Sequence, residues 1–270
     1  MPSTREAFIS HAIDALIEAE TRLPSDVRKA LASAVKDETS KRAKEQLQAI
    51  LENVKLAAAV GLPMCQDTGI PIFFLEIGQE ASVDFSLKEA LASAVQRATD
   101  LIPLRKHAVD PITRASSDEP LFDILCDVCD GDELSVAVLV KGAGSENVSG
   151  LAMLEPTQDV VSFVLSTIWE SGGKPCPPVI VGLGIGSTFD GCARLAKKTL
   201  FRSLNEKESA FEVEILENIN KLGIGPMGLG GRTTALRVFV EKAPCHTAML
   251  PVAVAVQCWA DRKAHFRMKL

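Results

Sequence analysis

The sequence predicts a mixed α/β fold of the α+β kind, organised as one integrated domain over residues 1–270. Three observations carry this reading. Over residues 1–60 apolar side chains recur every three or four positions, the period of one helix face. Over 61–270 short apolar runs bounded by glycine or proline alternate with further helical stretches. A chain of 270 residues, 47% of them hydrophobic, also buries a sizeable core without disulfide staples. A helical N-terminal portion, 1–60, is therefore expected to precede a portion of interleaved strands and helices, 61–270, that carries the functional loops.

Each element has a local cause. Phe8, Ile9, Ala12, Ile13, Leu16 and Ile17 line one face of a helix over 3–21, and Pro24-Ser25-Asp26 caps a second helix carrying Val27, Leu31 and Val35. A third helix runs through Leu47, Ile50, Leu51 and Val54 and stops at Gly61-Leu62-Pro63. After the loop MCQDTG, Ile70–Ile77 is short, apolar and bounded by glycines, which predicts a buried strand. Asp84–Leu101 reads as a helix, and Pro103, Pro111 and Pro120 punctuate a long polar segment after it. Strands are expected at Leu121–Val128 and Leu134–Val140, then a glycine-rich turn, KGAGSENVSG, and a helix from Pro156 to Glu170. KPCPPVIVGLGIGST is a proline-stiffened entry into a buried strand, with Ser187 or Thr188 capping the helix after it. Residues 206–222 read as a helix, LGIGPMGLGGRT as a third glycine-rich loop, and Thr234–Val240 and Pro251–Val256 as the last strands.

Charge and composition narrow the partners. Lys and Arg number 29 and Asp and Glu 35, giving a net charge of −6, so neither nucleic acid nor an anionic membrane surface is an expected partner. The N-terminus has no secretory or transit pattern, and no window approaches about 20 uncharged apolar residues. Seven cysteines, odd in number and irregularly spaced, fit a reducing cytoplasm with some thiols in chemical use better than a disulfide framework.

Two motifs have ordinary explanations. Gly182-Leu183-Gly184-Ile185-Gly186 sits where a dinucleotide fingerprint would, yet G-x-G-x-x-G starting at Gly182 needs glycine where Ser187 stands. A phosphate-binding loop over Gly186–Gly191 would need lysine where Cys192 stands, so close backbone packing is the simpler use of these glycines. Cys126 and Cys129 form C-x-x-C without a second pair to complete a tetrahedral site, and they read as buried, inert thiols, as do Cys192 and Cys245. Cys65, Cys176 and Cys258 differ, because each lies at an irregular junction between elements. On spacing alone they are either isolated core cysteines or three ligands gathered by the fold around one metal centre.

MCQDTG, KGAGSEN, the CPP segment and HTAMLPVAVAVQCWADR, in this order from about residue 55 onward, resemble class I fumarate hydratases and the related L-tartrate dehydratase alpha subunits, the iron–sulfur hydro-lyases. The resemblance implies that Cys65, Cys176 and Cys258 hold a 4Fe-4S cluster with one iron not liganded by protein. It also implies substrate contacts from Gln66, Asp67, Arg105 in LIPLRK and the Gly142–Asn147 loop, represented by Gly144. His246, twelve residues before Cys258, matches the family's active-site histidine, and Asp67 and His246 are the expected catalytic groups. Without the resemblance, Arg105 would read as solvated, Asp67 as a cap and His246 as a surface residue.

Gly142-Ala143-Gly144-Ser145 stands where the family often has GGGS, a change that keeps most of the backbone freedom. Single-chain members continue into a second domain that supplies a threonine, a lysine and arginines, whereas this sequence stops at Leu270. It therefore looks like an alpha subunit with a separate beta subunit as partner, with alpha–alpha homodimers also expected. Gly223–Arg232 and Arg105–Arg114 are the expected rim toward the partner. The implied activity is reversible hydration of fumarate to L-malate, with L-tartrate dehydration as the competing reaction on a small dicarboxylate. The reading from another class is a metal-binding or thiol-redox module without catalysis.

Overall fold

The computed structural model describes residues 3–269. The elements are, in chain order, α1 (Thr4–Thr21), α2 (Ser25–Asp37), α3 (Lys41–Val60), β1 (Ile70–Gly78), α4 (Leu87–Leu101), β2 (Asp123–Cys129), β3 (Glu133–Lys141) and the short α5 (Ala143–Glu146). There follow β4 (Gly150–Leu154), α6 (Val160–Ser171), β5 (Val179–Gly186), α7 (Phe189–Thr199), α8 (Ala210–Lys221), β6 (Ala235–Ala243), β7 (Leu250–Gln257) and β8 (Arg262–Lys269). The mixed α/β class expected from the sequence is the class observed, with two mixed four-stranded sheets. No helix among the described residues is long and apolar enough to cross a membrane.

The chain divides into two compact units, each built from separated segments. One comprises the chain up to Pro24, Val54–Lys141 and the chain from Arg262; the other comprises Ser25–Asn53 and Gly142–Asp261.

The first unit carries the sheet β2-β1-β3-β8, with β2 parallel to β1 and the other neighbours antiparallel. Ser3 caps α1 by accepting the N–H of Glu6, and Ser86 caps α4 in the same way through Glu89. Alternate residues of the strands, Phe73 and Leu75 on β1 and Leu134, Val136 and Val138 on β3, join Phe8, Ile9 and Leu16 of α1 and Leu91 of α4 in one buried core. Each such side chain contributes about 1.5–3 kcal/mol by leaving water. The register sets Phe73 opposite Val138, and Val138 opposite Ala264 on β8.

Strand β8 lies beyond the last strand expected from the sequence. RKAHFRMK alternates, with Ala264, Phe266 and Met268 on the core side, but its charged half masks the period. The expectation that Cys126 and Cys129 are buried is also corrected: both are exposed. Among the described residues strand β2 is a sheet edge, paired only with β1, and residues three apart on it point to opposite faces.

The second unit carries the sheet β4-β7-β5-β6, in which β5 and β6 are parallel and β7 runs antiparallel to β4 and β5. Its core unites Val164 and Ile168 of α6, Val181 and Leu183 of β5, Ile215 and Ile219 of α8, Val238 of β6 and Val254 and Val256 of β7. Asp159, Thr188 and Ser209 cap α6, α7 and α8, the last with a reciprocal bond from Glu212. Strand β4 was hidden at the end of a glycine-rich segment that reads as a turn.

The glycines of β5 serve close packing of α7. A Cβ on Gly184 would lie 2.0 Å from the Cys192 carbonyl oxygen and 2.7 Å from the Ala196 nitrogen. Just after α2, the buried Glu38 accepts N–H bonds from Thr39 and Ser40 and from Arg232 in the loop after α8, each at 2.9 Å. Burial alone would raise the Glu38 carboxyl, but these donors hold it below the usual carboxylate range.

Replacing Gly184 by alanine should therefore lower unfolding free energy by about 2–3 kcal/mol, the upper range for overpacking. Gly61→Ala, at φ +69° with nothing within 4 Å, should cost only about 1 kcal/mol for its backbone conformation. Chemical denaturation of the two variants checks the contrast.

Candidate active site

In the first unit, α3 ends at Val60 and the chain turns through Met64-Cys65-Gln66-Asp67-Thr68-Gly69 before entering β1 at Ile70. Asp67 Oδ1 accepts the Gly69 N–H at 3.0 Å, a local turn. Thr68 is buried, and its Oγ1 accepts the Arg105 N–H at 2.9 Å and meets His107 Nε2 at 3.4 Å. The same imidazole nitrogen lies 3.8 Å from Asp67 Oδ1. Cys65 and Asp67 are half-buried, and Gln66 and Arg105 are exposed. One threonine hydroxyl thus joins the loop of Cys65, Gln66 and Asp67 to the segment of Arg105, across 37 residues of sequence.

Sequence reasoning missed His107. Its only available signal was its place two residues after Arg105, and no spacing rule connects it to Asp67. It also missed the pair beneath the loop. Arg262 at the start of β8 and Glu20 in α1 are each 1% exposed, and Arg262 Nη1 meets Glu20 Oε2 at 2.8 Å. That guanidinium nitrogen also donates to the Asp67 carbonyl oxygen at 2.9 Å, and the Glu20 carbonyl accepts the Met64 N–H at 3.0 Å. Burial pushes the Glu20 carboxyl up to about 7; Arg262 offsets part of this, and the charge of Asp67 adds to it.

In the second unit Cys176 precedes β5 and Cys258 follows β7, and antiparallel pairing brings these strand ends together, Ile180 opposite Gln257. The Trp259 N–H donates to the Cys176 carbonyl at 3.3 Å. Cys176 adopts φ +55°, a left-handed backbone uncommon for a residue with a side chain. The loop with Gly144 belongs to the same end of the sheet. Ser145 Oγ lies 3.4 Å from Gln257 Oε1, and the Val256 N–H donates to Ser149 Oγ at 3.3 Å. A Cβ on Gly144 would come within 2.8 Å of the Lys174 carbonyl, so only glycine fits. Lys197 Nζ and Glu146 Oε1, 3.1 Å apart, tie this loop to α7.

The second unit therefore brings Cys176, Cys258 and the Gly144 loop together, but not His246. That residue is exposed in the turn before β7, at the opposite end of the strand from Cys258. Eight residues of strand separate the two by about 26 Å. Cys245 beside it is exposed rather than buried, whereas Cys192 is buried in α7 as expected, and burial raises its thiol pKa.

None of the seven cysteines is in a disulfide bond. Cys65, Cys176 and Cys258 are each half-buried, a state in which a thiolate reaches a ligand without being sealed in the core. Their chemistry and exposure suit iron–sulfur ligation. No group of three or more His, Cys, Asp or Glu side chains among the described residues is gathered closely enough to hold a metal ion.

Comparison with known proteins decides the family. The model of the fumarate hydratase (Fumerase) family matches residues 9–267. The chain belongs to that family.

The matched span contains every motif named above, from the Cys65 loop to Cys258. A Methanocaldococcus jannaschii protein named "Putative L(+)-tartrate dehydratase subunit alpha" is 46% identical over 269 residues, covering 94% of each chain. L(+)-tartrate dehydratase subunit alpha of Escherichia coli K12 is 32% identical over 259 residues, covering 90% of this chain and 84% of the relative. The fumarate hydratase family is one of hydro-lyases, and this chain is a member across nearly its whole length.

Glu20 has a defined effect on stability. Its folded pKa lies above the unfolded carboxylate value of about 4.3, so the folded state binds the extra proton and stability falls as pH rises from about 4 through about 7. Denaturation at pH 5 to 8 should show this decline in the wild-type protein. The same slope should be absent from Glu20→Gln.

Proposed function

We propose that residues 1–270 form one alpha-type catalytic domain of a two-subunit iron–sulfur hydro-lyase. Its reaction is the reversible addition of water to fumarate to give L-malate. The observation that carries this reading is the ordered set of motifs within the family match over 9–267, together with the Thr68 bond that joins Arg105 to the Cys65-Gln66-Asp67 loop. The relatives named as alpha subunits support a separate beta subunit as partner. Their names also favour a second substrate, L-tartrate, whose dehydration breaks a C–O bond beside a carboxylate in the same manner.

Cys65, Cys176 and Cys258 are the thiolates proposed to hold a 4Fe-4S cluster, one iron of which lacks a protein ligand. When bound, that iron supplies Lewis acidity to the substrate hydroxyl. Arg105, exposed beside the loop, pairs with a substrate carboxylate through its planar fork. Gln66 donates an amide hydrogen bond, and Gly144 allows close approach of the backbone. Asp67 holds or moves the proton at its carboxylate, with His107 Nε2 3.8 Å away. His246 is proposed to act in trans: with β7 between it and Cys258, it serves the site of a second copy in an alpha–alpha dimer. The principal base belongs to the beta subunit.

Reconstituted with iron, sulfide and a beta subunit under anaerobic conditions, the chain should hydrate fumarate or dehydrate L-tartrate, and the alpha chain alone should do neither. Turnover by the isolated alpha chain would remove the two-subunit reading, and failure on both substrates would remove the dicarboxylate reading. In the active complex, Asp67→Asn should lower kcat about a hundredfold or more, the scale of lost proton transfer. Arg105→Lys should act mainly on KM, raising it about tenfold as bidentate pairing is lost. Steady-state kinetics on both substrates separates the two effects.

A further inference from the structure

We propose that Glu20 and Arg262 are positioning residues whose buried pair sets the backbone of the loop carrying Cys65, Gln66 and Asp67. The inference deepens the hydro-lyase reading and rests on it for its catalytic consequence, but its structural basis is independent. Both side chains are 1% exposed, and Arg262 Nη1 reaches Glu20 Oε2 at 2.8 Å. The same nitrogen donates to the Asp67 carbonyl at 2.9 Å, while the Glu20 carbonyl accepts the Met64 N–H at 3.0 Å. The side-chain pair thereby holds the Asp67 end of the loop, while the main chain of Glu20 holds the Met64 end, with Cys65 and Gln66 between them.

A merely structural role explains the pair poorly. Two buried charges that meet each other stabilise a fold no better than well-packed apolar side chains of similar volume, because desolvation offsets their attraction. Glu20 sits on the buried face of α1 among Leu16 and Ala19, where an apolar residue would pack as well. What apolar side chains cannot supply is a donor for the Asp67 carbonyl in a fixed orientation. That carbonyl belongs to the residue proposed to move the proton, and it lies two positions from a proposed cluster thiolate. A loop free to rotate there would misplace both the carboxylate and the thiol, and catalysis is sensitive to displacements of about 1 Å.

The test compares the wild-type chain with the double variant Glu20→Met/Arg262→Met, which replaces the pair by apolar side chains of similar length. Two measurements need neither cluster nor substrate: amide hydrogen exchange of residues 60–70, and the rate at which N-ethylmaleimide alkylates each cysteine, mapped by mass spectrometry. The expected result is an unfolding temperature equal to or above wild type, with the 65–69 amides exchanging about tenfold faster. Cys65 should be alkylated correspondingly faster, with Cys176 and Cys258 unchanged. Arg262→Lys, which keeps the charge but shortens the reach, should show the same local signature at smaller size.

In the reconstituted two-subunit complex the double variant should lose kcat with little change in folding. Wild-type exchange and wild-type Cys65 reactivity in a folded double variant would overturn the proposal. So would failure of the double variant to fold, which would assign the pair to holding the unit together. Absence of turnover by the wild-type complex on fumarate and L-tartrate would instead refute the hydro-lyase reading and leave the exchange and alkylation results to decide the anchor.

Discussion

One buried guanidinium stands where the three separated segments of the first unit meet. Arg262 opens β8, Glu20 comes from α1 and Asp67 from the loop before β1, so a single side chain touches all three pieces of chain. Burying an arginine is expensive unless its donors are met, and here the carboxylate and the carbonyl meet one nitrogen together. The constraint acts in two directions. It fixes where β8 begins beside β3, and hence that Ala264, Phe266 and Met268 face the core. It also holds the peptide at Asp67, from which the rest of the candidate site in that unit extends through Thr68 to Arg105 and His107.

In the second unit the governing constraint is steric. Helix α7 can lie against β5 only because Gly182 and Gly184 have no side chains, and the same strand carries Cys176 at its entrance. Antiparallel pairing with β7 then delivers Cys258 to that entrance, and the Trp259 N–H closes onto the Cys176 carbonyl. Two cysteines that are 82 residues apart in the chain are brought to one end of the sheet through strand register, a geometry insensitive to the surface sequence around them. The same register explains why His246 is not among them: it lies at the other end of β7, where the strand enters from a turn.

The division of functional groups between chain segments has a chemical logic. The groups proposed to bind and orient a dicarboxylate, Gln66 and Arg105, are exposed, as groups that meet a ligand from solvent must be. Thr68, Glu20 and Arg262, which bond to the backbone of those segments, are buried, and a hydrogen bond shielded from water holds its geometry better than one that water can replace. All of these positions lie within the span that matches the fumarate hydratase family.

Much of this was legible in the sequence. Helical periodicity locates α1 to α3 and α4, glycine and proline locate the breaks, and the order of the cysteine-bearing motifs points to the family. Local patterns of this kind are visible because the period of an element and the chemistry of a turn are properties of neighbouring residues. Strand β8 was not legible, since half of its residues are charged and its partner β3 lies more than a hundred residues earlier. Exposure of Cys126 and Cys129 depended on β2 being a sheet edge, which no spacing reveals. The sequence by itself determined the fold class and the family, and it named the residues proposed to carry the chemistry. Only the tertiary structure decided that His107 stands beside Asp67, that His246 stands far from Cys258, and that Glu20 and Arg262 hold the loop from beneath, because each depends on contacts between segments that the chain brings together only when folded.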